Sequence, residues 1–247
     1  RATVGSDEGL DALAAIADRV VAMARPGEQL EAYVSCDRET EVRVYDGEVE
    51  HLVAAQSEGI GIRVVRDGRV GFAYAGTLDE AAIAEVLAEA RDNAEYGTPD
   101  EWAGLAEPDG VDVVPQRLWD ERLVGTTTQK KVDLALELER RTCAVDPRVR
   151  VDDANYADVF VEAAVATTTG IRVRGRENGC YLSVSTLADD GDETQTGFGF
   201  SVGRAIDELD VERAAREAAD RATRLLGSTK PASRRVTVVL DPFVTAQ

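Results

Sequence analysis

The sequence predicts an α+β fold of two tandem related units, each a mainly antiparallel sheet flanked by helices. Three observations predict it. Apolar residues alternate along short runs joined by Asp-Gly turns, a four-residue pattern recurs in the second half, and Ala-rich stretches with helical spacing close each half. The 247 residues suffice for two domains of ordinary size, and 44% hydrophobic residues can fill their cores.

The clearest predicted element is a hairpin within Glu58 to Tyr74. Alternating apolar residues stand on both sides of Asp67-Gly68, and such a pair favours a tight turn because glycine adopts positive φ readily. Gly61 and Gly71 lie inside the predicted strands, where glycine weakens pairing. We therefore expect another backbone or a large side chain to approach them closely, although a hairpin in an ordinary sheet is the simpler alternative.

The second unit is predicted from a recurrence of this pattern. Residues 170–173 repeat the letters GIRV of residues 61–64, and Asn178-Gly179 follows the second copy as Asp67-Gly68 follows the first. In both places strands and then a capped amphipathic helix come next. Because two copies are too few for a solenoid, we interpret them as two related α+β units in tandem.

The first unit is predicted to begin with an amphipathic helix that is capped by Ser6 or Asp7 and stopped by Pro26-Gly27. Thr77-Leu78-Asp79-Glu80 has the form of a capping box for its second helix, and Gly97 is the expected C-cap. Three strands precede the hairpin described above: Leu30 to Asp37, then Glu41 to Tyr45 and Glu48 to Ala54, which Asp46-Gly47 joins as another hairpin.

A linker is predicted at Thr98 to Gly125, which proline and glycine punctuate. Trp102 and Trp119 within it suggest that the linker docks on a domain. We place a domain boundary here, with residues 1–110 as the first α+β domain and residues 111–232 as the middle one.

The second unit is predicted to start with a helix near Thr128 to Cys143 and to end with a helix that Asp210 caps and Gly227 terminates. Its predicted strands lie near residues 148–153, 158–167, 170–174, 180–187 and 194–202. Val236 to Leu240 is predicted to be a further strand, which cannot form a domain alone because its backbone groups need partners. Residues 233–247 are therefore predicted to be the start of a truncated third domain.

The composition argues against two classes of partner. The formal net charge is −19, and Lys and Arg are spread along the chain. Because nucleic acids and anionic membranes both attract basic surfaces, we expect no nucleic acid and no membrane partner. No apolar run approaches the roughly 20 residues of a membrane span, and Arg1 to Gly9 has no signal-peptide core. We expect a cytoplasmic protein.

The three cysteines are expected to be buried free thiols. Cys36, Cys143 and Cys180 are odd in number, far apart and without a CxxC pair. This usage is typical of a reducing compartment.

No catalytic or metal-binding residue is assigned within the chain, and substrate-binding residues are unknown from sequence. His51 is the only histidine, so neither an HExxH zinc helix nor a Ser-His-Asp triad can be built, and we expect His51 to be half-exposed and structural. A hard cation could bind carboxylate oxygens in the acidic run at residues 189–193. A solvated turn is favoured, because the order of a calcium loop is missing.

Other motifs are interpreted as structural. Residues 126–128 and 167–169 are both Thr-Thr-Thr, and we expect cap or strand residues because no base lies near them in sequence. Gly197-Phe198-Gly199-Phe200 could admit a close backbone neighbour, although a strand with small residues is the simpler interpretation.

The ordered set of segments resembles the TldD/PmbA family, once described as modulators of DNA gyrase. The resemblance covers nearly the whole chain, and the order of the segments is its most specific feature. The segments are VRVYDGEVE at 42–50, EGIGIRVVRDGRVGFAYAGTLDE at 58–80, GIRVRGRENGCYLSVSTLADDGDETQTGFGFSVGRAIDELD at 170–210, an Ala-rich helix ending RLLG, and VTVVLDP at 236–242.

The resemblance implies a soluble cytosolic protease system. TldD-type members carry an HExxxH zinc site in the C-terminal domain, shortly after the VVL strand. A PmbA-type partner, also called TldE, has the same architecture without the metal motif, and the pair cleaves peptides or unfolded proteins. No family metal ligand maps onto a residue of this chain, so zinc is expected in the C-terminal domain of a TldD-type partner and no cofactor here.

Residues 241–247 look more like the PmbA-type continuation, which favours the non-catalytic subunit of a homo- or heterodimer. Two alternatives remain open at this point. The chain could belong to a TldD-type catalytic subunit whose zinc domain lies beyond residue 247, or to a non-proteolytic regulatory protein such as a DNA gyrase modulator.

Overall fold

The structure, a computed structural model, describes residues 5–112 and 114–246, so residues 1–4, Val113 and Gln247 lie outside the described residues. The described residues form six helices and six strands, with a 3₁₀ turn at Ile206–Glu208. The helices are α1 Asp7–Val21, α2 Glu80–Tyr96, α3 Glu121–Val124, α4 Thr128–Cys143, α5 Val211–Thr223 and α6 Pro242–Ala246. The strands are β1 Gln29–Tyr45, β2 Glu48–Arg66, β3 Arg69–Ala75, β4 Val149–Thr167, β5 Arg172–Asp190 and β6 Glu193–Gly203.

The six strands form one antiparallel sheet in the order β3-β2-β1-β4-β5-β6. Each unit contributes three consecutive strands, and the two sets join through β1 and β4, where Thr40 pairs with Asp158. The order α1-β1-β2-β3-α2 recurs as α4-β4-β5-β6-α5. The predicted α+β class is therefore confirmed, and the two related units share a single continuous sheet.

The strands are longer than the sequence indicates. Residues 30–37 and 41–45 belong to one strand, β1, and residues 48–54 continue through to Arg66 as β2. Arg38 and Glu39 interrupt the alternation in sequence, but both keep their ladder pairing with β2 and β4. Backbone pairing on both sides therefore overrides the local break in pattern.

Both predicted Asp-Gly turns are confirmed. Asp46 and Gly47 have φ of 53° and 76°, and Asp67 and Gly68 have φ of 51° and 70°. Positive φ at both central positions is the primed turn that suits a hairpin.

The predicted turn at Asn178-Gly179 is wrong, because both residues lie inside β5. Asn178 is buried there, and its side chain holds the linker by accepting from the Asp120 backbone N–H at 2.9 Å and donating to the Asp120 carbonyl at 2.9 Å. The hairpin of the second unit instead turns at Gly191, whose φ is 66°. The GIRV copies are consequently not equivalent, since residues 61–64 end β2 whereas residues 170–173 lead into β5.

Glycines set how closely helices approach the sheet. A Cβ on Gly71 would lie 2.0 Å from the Ala90 carbonyl oxygen of α2, and one on Gly199 would lie 2.0 Å from the Ala214 carbonyl oxygen of α5. Gly61 instead faces the ring of Phe72, 3.2 Å from an added Cβ. The expected close approaches are confirmed for both glycines of the first hairpin.

Helix caps follow the sequence in most places. Ser6, Thr127 and Asp210 each accept a hydrogen bond from a backbone N–H of the first turn. The capping box at residues 77–80 is wrong, because Asp79 is the N-cap and Thr77 donates its hydroxyl to the Asp79 carboxylate. Gly97 is the C-cap of α2 as predicted.

The linker docks through one of its two tryptophans. The Trp119 ring packs edge-on against Phe160, with centroids 5.9 Å apart, whereas Trp102 is 85% exposed. The strand predicted at Val236–Leu240 is not formed: these residues are exposed and lack a strand partner among the described residues. A strand cannot form without a neighbour for its backbone groups.

Helices of each unit pack on strands of the other. The α1 side chains Leu13 and Ala17 join one core with Ala164 and Ala166 of β4, while Ala135 and Leu138 of α4 lie in that same core. Acidic residues of α1 also pair with arginines of β5: Asp18 with Arg172, Asp11 with Arg174 and Asp7 with Arg176. The positions of α1 and α4 therefore depend on both units.

No helix among the described residues combines the length and apolar character that a bilayer crossing requires.

Candidate functional site

One surface of the sheet carries no helix and is the main candidate for a binding role. Along β1 the even-numbered side chains from Leu30 to Val44 are mostly buried under helices, whereas the odd-numbered ones are partly or fully exposed. We call the surface formed by the odd-numbered side chains of β1 and their neighbours the open face. On β1 it includes Tyr33, Glu39 and Glu41. Apolar side chains dominate it elsewhere, and Val159 and Val202 are 40% and 61% exposed.

A cleft of about 510 Å³ lies on the open face. Its position follows from two neighbouring rows of the ladder, one running from Glu39 through Val159 to Gly179 and the other from Glu41 through Ala157 to Tyr181. Gly179 and Ala157 have little or no side chain, so the surface is hollow between the larger neighbours. The volume is within the roughly 300–1,000 Å³ of small-molecule and side-chain pockets.

Charges at the cleft are unequal on its two sides. Glu39 and Glu41 project from β1 and are exposed, and neither forms an ion pair among the described residues. On the opposite side, Arg204 donates its guanidinium to the carbonyl oxygens of Asn178 and Leu118. The Arg204 guanidinium is thus committed to backbone acceptors, while the two carboxylates are available to a ligand.

A hydrogen-bonded cluster fixes the far wall of the cleft. Glu208 accepts from the Arg204 backbone N–H at 2.9 Å and pairs with Arg117 and Arg122 at 3.0 and 2.9 Å. The backbone bond from Arg204, followed by the arginine contacts, lowers the pKa of Glu208. Glu208 therefore stays ionised and anchors the 3₁₀ turn next to the end of β6.

Behind the sheet, under α4, lies a buried polar cluster. Lys131 Nζ is 2.6 Å from Asp158 Oδ2 and donates to Thr40 Oγ1 at 2.9 Å, and the Tyr156 hydroxyl donates to Asp158 Oδ2 at 2.7 Å. Burial first, then the Asp158 charge, raises the pKa of Tyr156. Lys131 is 7% exposed and Asp158 is 4% exposed, so their side chains are inaccessible to substrate. We assign this cluster a structural role.

The cysteines are free thiols, and two of the three are buried as predicted, whereas Cys143 is exposed. Burial raises the pKa of Cys180 to about 12, with a further contribution from Asp158. A thiol with such a pKa is protonated near neutral pH and is a poor nucleophile.

The described residues do not provide a ligand set for a zinc ion. His51 is exposed on β2, and the cysteines lie on three separate elements. Within residues 5–112 and 114–246, no three His, Cys, Asp or Glu side chains come together as metal ligands. We therefore assign no zinc-dependent step to the described residues.

The acidic run at residues 189–193 forms the β5–β6 turn, in keeping with the solvated-turn interpretation. Asp189 accepts a hydrogen bond from Thr194 and pairs with Arg150 at 2.9 Å, and these contacts lower the pKa of Asp189. The threonines are also structural: Thr127 caps α4, and Thr167 accepts from the Ile171 backbone N–H at 3.0 Å.

Sequence reasoning missed a second repeat that the structure makes evident. Gly71-Phe72-Ala73-Tyr74 on β3 and Gly197-Phe198-Gly199-Phe200 on β6 occupy matching outer strands. In both, small residues lie under a helix and aromatic ones lie on the open face, where Phe72 stacks on Tyr74 and Phe198 on Phe200. The alternation of small and aromatic residues in the sequence is the signal that could have revealed it.

Comparison with known families matches both units. Residues 30–94 match the family described as PmbA/TldA metallopeptidase domain 1, and residues 122–226 match the PmbA/TldA metallopeptidase central domain. The two matches follow the order expected for the family and together span most of the sheet and its helices.

Curated relatives carry the same family names. The chain is 24% identical over 211 residues to metalloprotease PmbA of Escherichia coli O157:H7, which covers 81% of this chain and 44% of the relative. It is 26% identical over 149 residues to a metalloprotease TldD homolog of Haemophilus influenzae, an alignment that covers 59% of this chain and 30% of the relative. The chain spans about half the length, or less, of the curated relatives it matches.

Solved structures share the fold. A structure from Thermotoga maritima, named as a proposed modulator of a DNA gyrase, has a TM-score of 0.75 at 22% identity and covers 89% of this chain and 50% of that one. TldE from Thermococcus kodakarensis has a TM-score of 0.69 at 20% identity, and the match covers 85% of this chain and 46% of TldE. With the two family domains in order on one sheet, the chain belongs to the TldD/PmbA metalloprotease family.

Proposed function

We propose that this chain is part of a non-catalytic subunit, of the PmbA or TldE type, in a cytoplasmic TldD/PmbA-family metalloprotease complex that acts on peptides or unfolded proteins. Support for the family comes from the two matched domains. Support for the subunit type comes from the PmbA and TldE names among the relatives and from residues 241–247, which resemble the PmbA-type continuation.

The observation that carries the proposed role is the open face, which leaves apolar and aromatic side chains exposed on one side of the sheet. Exposed apolar surface of this kind is typical of a binding site. An extended substrate could also pair with the outer strands β3 and β6, because strand addition uses backbone hydrogen bonds and tolerates many sequences. Such binding suits a protease system that accepts unfolded chains.

Zinc is proposed to reside in the C-terminal domain of a TldD-type partner, since the described residues of this chain do not fit it. When bound there, zinc would supply the activated water for hydrolysis. In this proposal, the present chain contributes substrate binding and a subunit contact.

The test is reconstitution. The purified protein is mixed with the TldD-type subunit of the same organism and assayed for cleavage of an unfolded protein, with zinc content and mass measured in parallel. We expect cleavage and a larger complex by light scattering only when both proteins are present. Zinc-dependent cleavage by this protein alone would overturn the proposal.

A second candidate is a TldD-type catalytic subunit, which the match to a TldD homolog favours. Metal analysis of the full-length gene product discriminates the two. One tightly held zinc per molecule supports the catalytic subunit, whereas its absence together with activation by a partner supports the non-catalytic one.

A further inference from the structure

The cleft at Gly179 combines an apolar floor with two carboxylates on one side. Its floor is apolar, formed by Val53, Val159, Tyr181 and Val202, and Val202 is 61% exposed. Its β1 side carries Glu39 and Glu41, two residues apart on one strand, which places their Cα atoms about 7 Å apart. An apolar floor favours an apolar ligand, and the adjacent carboxylates favour a cation.

The charges at the cleft favour a cationic ligand over an anionic one. No described cation pairs with Glu39 or Glu41, and Arg204 across the cleft is engaged by the carbonyl oxygens of Asn178 and Leu118. Next along the open face of β1 is Asp37, whose pKa burial raises, so a nearby cation would stabilise its charged form as well. An anionic ligand in the cleft would lie beside the Glu39 and Glu41 carboxylates, and the next cation on this face of β1, Arg43, is paired with Glu50 at 2.9 Å.

We propose that this cleft binds an extended polypeptide segment in which a Lys or Arg side chain lies next to an apolar residue. The apolar side chain fills the hollow above Gly179, and the cation reaches Glu39 or Glu41. The inference rests on the proposed function, because it names the class of peptide that the open face would select.

Gly179 offers a direct way to block the cleft. A Cβ added there would meet nothing nearer than the Gly203 carbonyl oxygen at 3.6 Å and Arg204 Nη1 at 3.8 Å, which are ordinary contacts. The Cβ of Gly179→Leu is therefore accommodated without displacing the backbone, and we expect the rest of the leucine side chain to extend into the hollow. Gly175→Leu is the matched control, because Gly175 lies four residues away on the same strand and the same face with open space around it.

The experiment measures fluorescence anisotropy of three labelled peptides with the protein: alternating Lys and Val, alternating Glu and Val, and alternating Lys and Ser. We expect saturable binding of the Lys-Val peptide alone. Gly179→Leu should weaken it at least tenfold, and Gly175→Leu should leave it within twofold. Equal effects of the two leucine variants would overturn the proposal.

The carboxylates are tested by Glu39→Gln/Glu41→Gln, which should weaken Lys-Val binding several-fold and reduce its dependence on salt. Glu85→Gln/Glu89→Gln on the exposed side of α2 removes the same charge elsewhere and should leave binding unchanged. If this control weakened binding as much, the attraction would come from the net charge of −19 and the site would be rejected.

Circular dichroism checks that the variants are folded. Should Gly179→Leu fail to fold, a Lys-Val peptide bearing a benzophenone is photo-crosslinked to the unaltered protein. Crosslinks at Val159 or Val202 support the cleft, and crosslinks confined elsewhere overturn it. If the protein binds the Lys-Val peptide but the reconstituted complex does not cleave, the proposed function is rejected and the cleft is not. If the complex cleaves, Gly179→Leu leaves cleavage unchanged and the Lys-Val peptide does not bind, the cleft is rejected and the proposed function is not.

Discussion

At the scale of single residues, glycines determine how closely the helices approach the sheet. Gly71 and Gly199 allow the backbones of α2 and α5 to lie directly on the outer strands, since an added Cβ would fall 2.0 Å from a helix carbonyl oxygen. At the cleft, Gly179 has the opposite effect, because its missing side chain leaves space unfilled. The same residue type thus serves packing on one face and recognition on the other.

Gly71→Ala and Gly199→Ala should destabilise the fold. The added methyl group forces the helix away from the strand, and overpacking of this kind costs about 1–3 kcal/mol or more. Urea denaturation measures the loss in the free energy of unfolding. Gly175→Ala, in open space on β5, serves as the control, and a loss equal to that of Gly71→Ala would contradict the packing argument.

The buried pair of Lys131 and Asp158 gives a second prediction. Lys131→Met leaves the Asp158 carboxylate buried without its cation, which should lower the free energy of unfolding by about 3–5 kcal/mol. Its neighbour Lys130 is exposed, so Lys130→Met should change stability little. Adding Asp158→Asn to Lys131→Met should recover part of the loss, and failure to do so would point to lost packing of the lysine stem.

Cys180 predicts a dependence on high pH. Its folded pKa of about 12 exceeds the ordinary value of 9.0, so the thiolate forms more readily in the unfolded chain. The stabilising contribution is complete below pH 9 and is lost as the pH rises towards 12. Denaturation series over this range should show a shallower decline for Cys180→Ala than for the unaltered protein; equal slopes would be evidence against the raised pKa.

At the scale of elements, the first helix is held by both units, because α1 packs on β4 and β5 of the second unit as well as on β1 of its own. Acidic residues of α1 face arginines of β5, so the first helix is aligned on the second unit. These side chains are largely exposed, apart from Arg176 at 27%, and exposed pairs contribute little individually. These pairs help to set the orientation of α1, whereas the burial of apolar side chains stabilises the core beneath it.

A double-mutant cycle on Asp11 and Arg174 tests this ladder. Asp11→Ala and Arg174→Ala should each cost under about 1 kcal/mol, with a small favourable coupling that salt reduces. Chemical denaturation at low and high ionic strength measures it. A coupling of several kcal/mol, insensitive to salt, would show that the pair is far better shielded than its exposure indicates.

At the scale of the whole molecule, one sheet runs through both units and joins them at β1 and β4. The boundaries at residues 110 and 232 stay predictions, because continuity of a sheet does not by itself decide where a domain ends. What the continuous sheet does establish is that the open face extends across both units.

We expect cooperative unfolding of residues 5–227 as a consequence. In a Trp102→Phe variant, urea transitions followed by the fluorescence of Trp119, which packs on Phe160, and by far-ultraviolet circular dichroism should coincide. Residues 1–110 expressed alone should be poorly folded, because β1 would lose β4. Two separate transitions, or a stably folded first half, would contradict this expectation.

Much of the fold was predictable because its signals are local. The Asp67-Gly68 turn, the α4 bounds of Thr128–Cys143 and the caps Ser6 and Asp210 depend on residues within a few positions of one another. Asn178-Gly179 was misassigned as a turn because its partner, the linker at Asp120, is distant in sequence. The cleft was not predictable, since its lining comes from five strands and its hollow from a glycine that local rules associate with turns.

The sequence by itself determined the α+β class, the duplicated order of elements and the resemblance to the TldD/PmbA family. It could do so because alternation, helical spacing, turn chemistry and segment order are all written along the chain. Only the tertiary structure decided that the two sheets are one, that α1 lies on β4, and that Glu39, Gly179 and Val202 share a surface. Those relations depend on pairing between residues far apart in sequence, where backbone hydrogen bonds and apolar burial select one register from many.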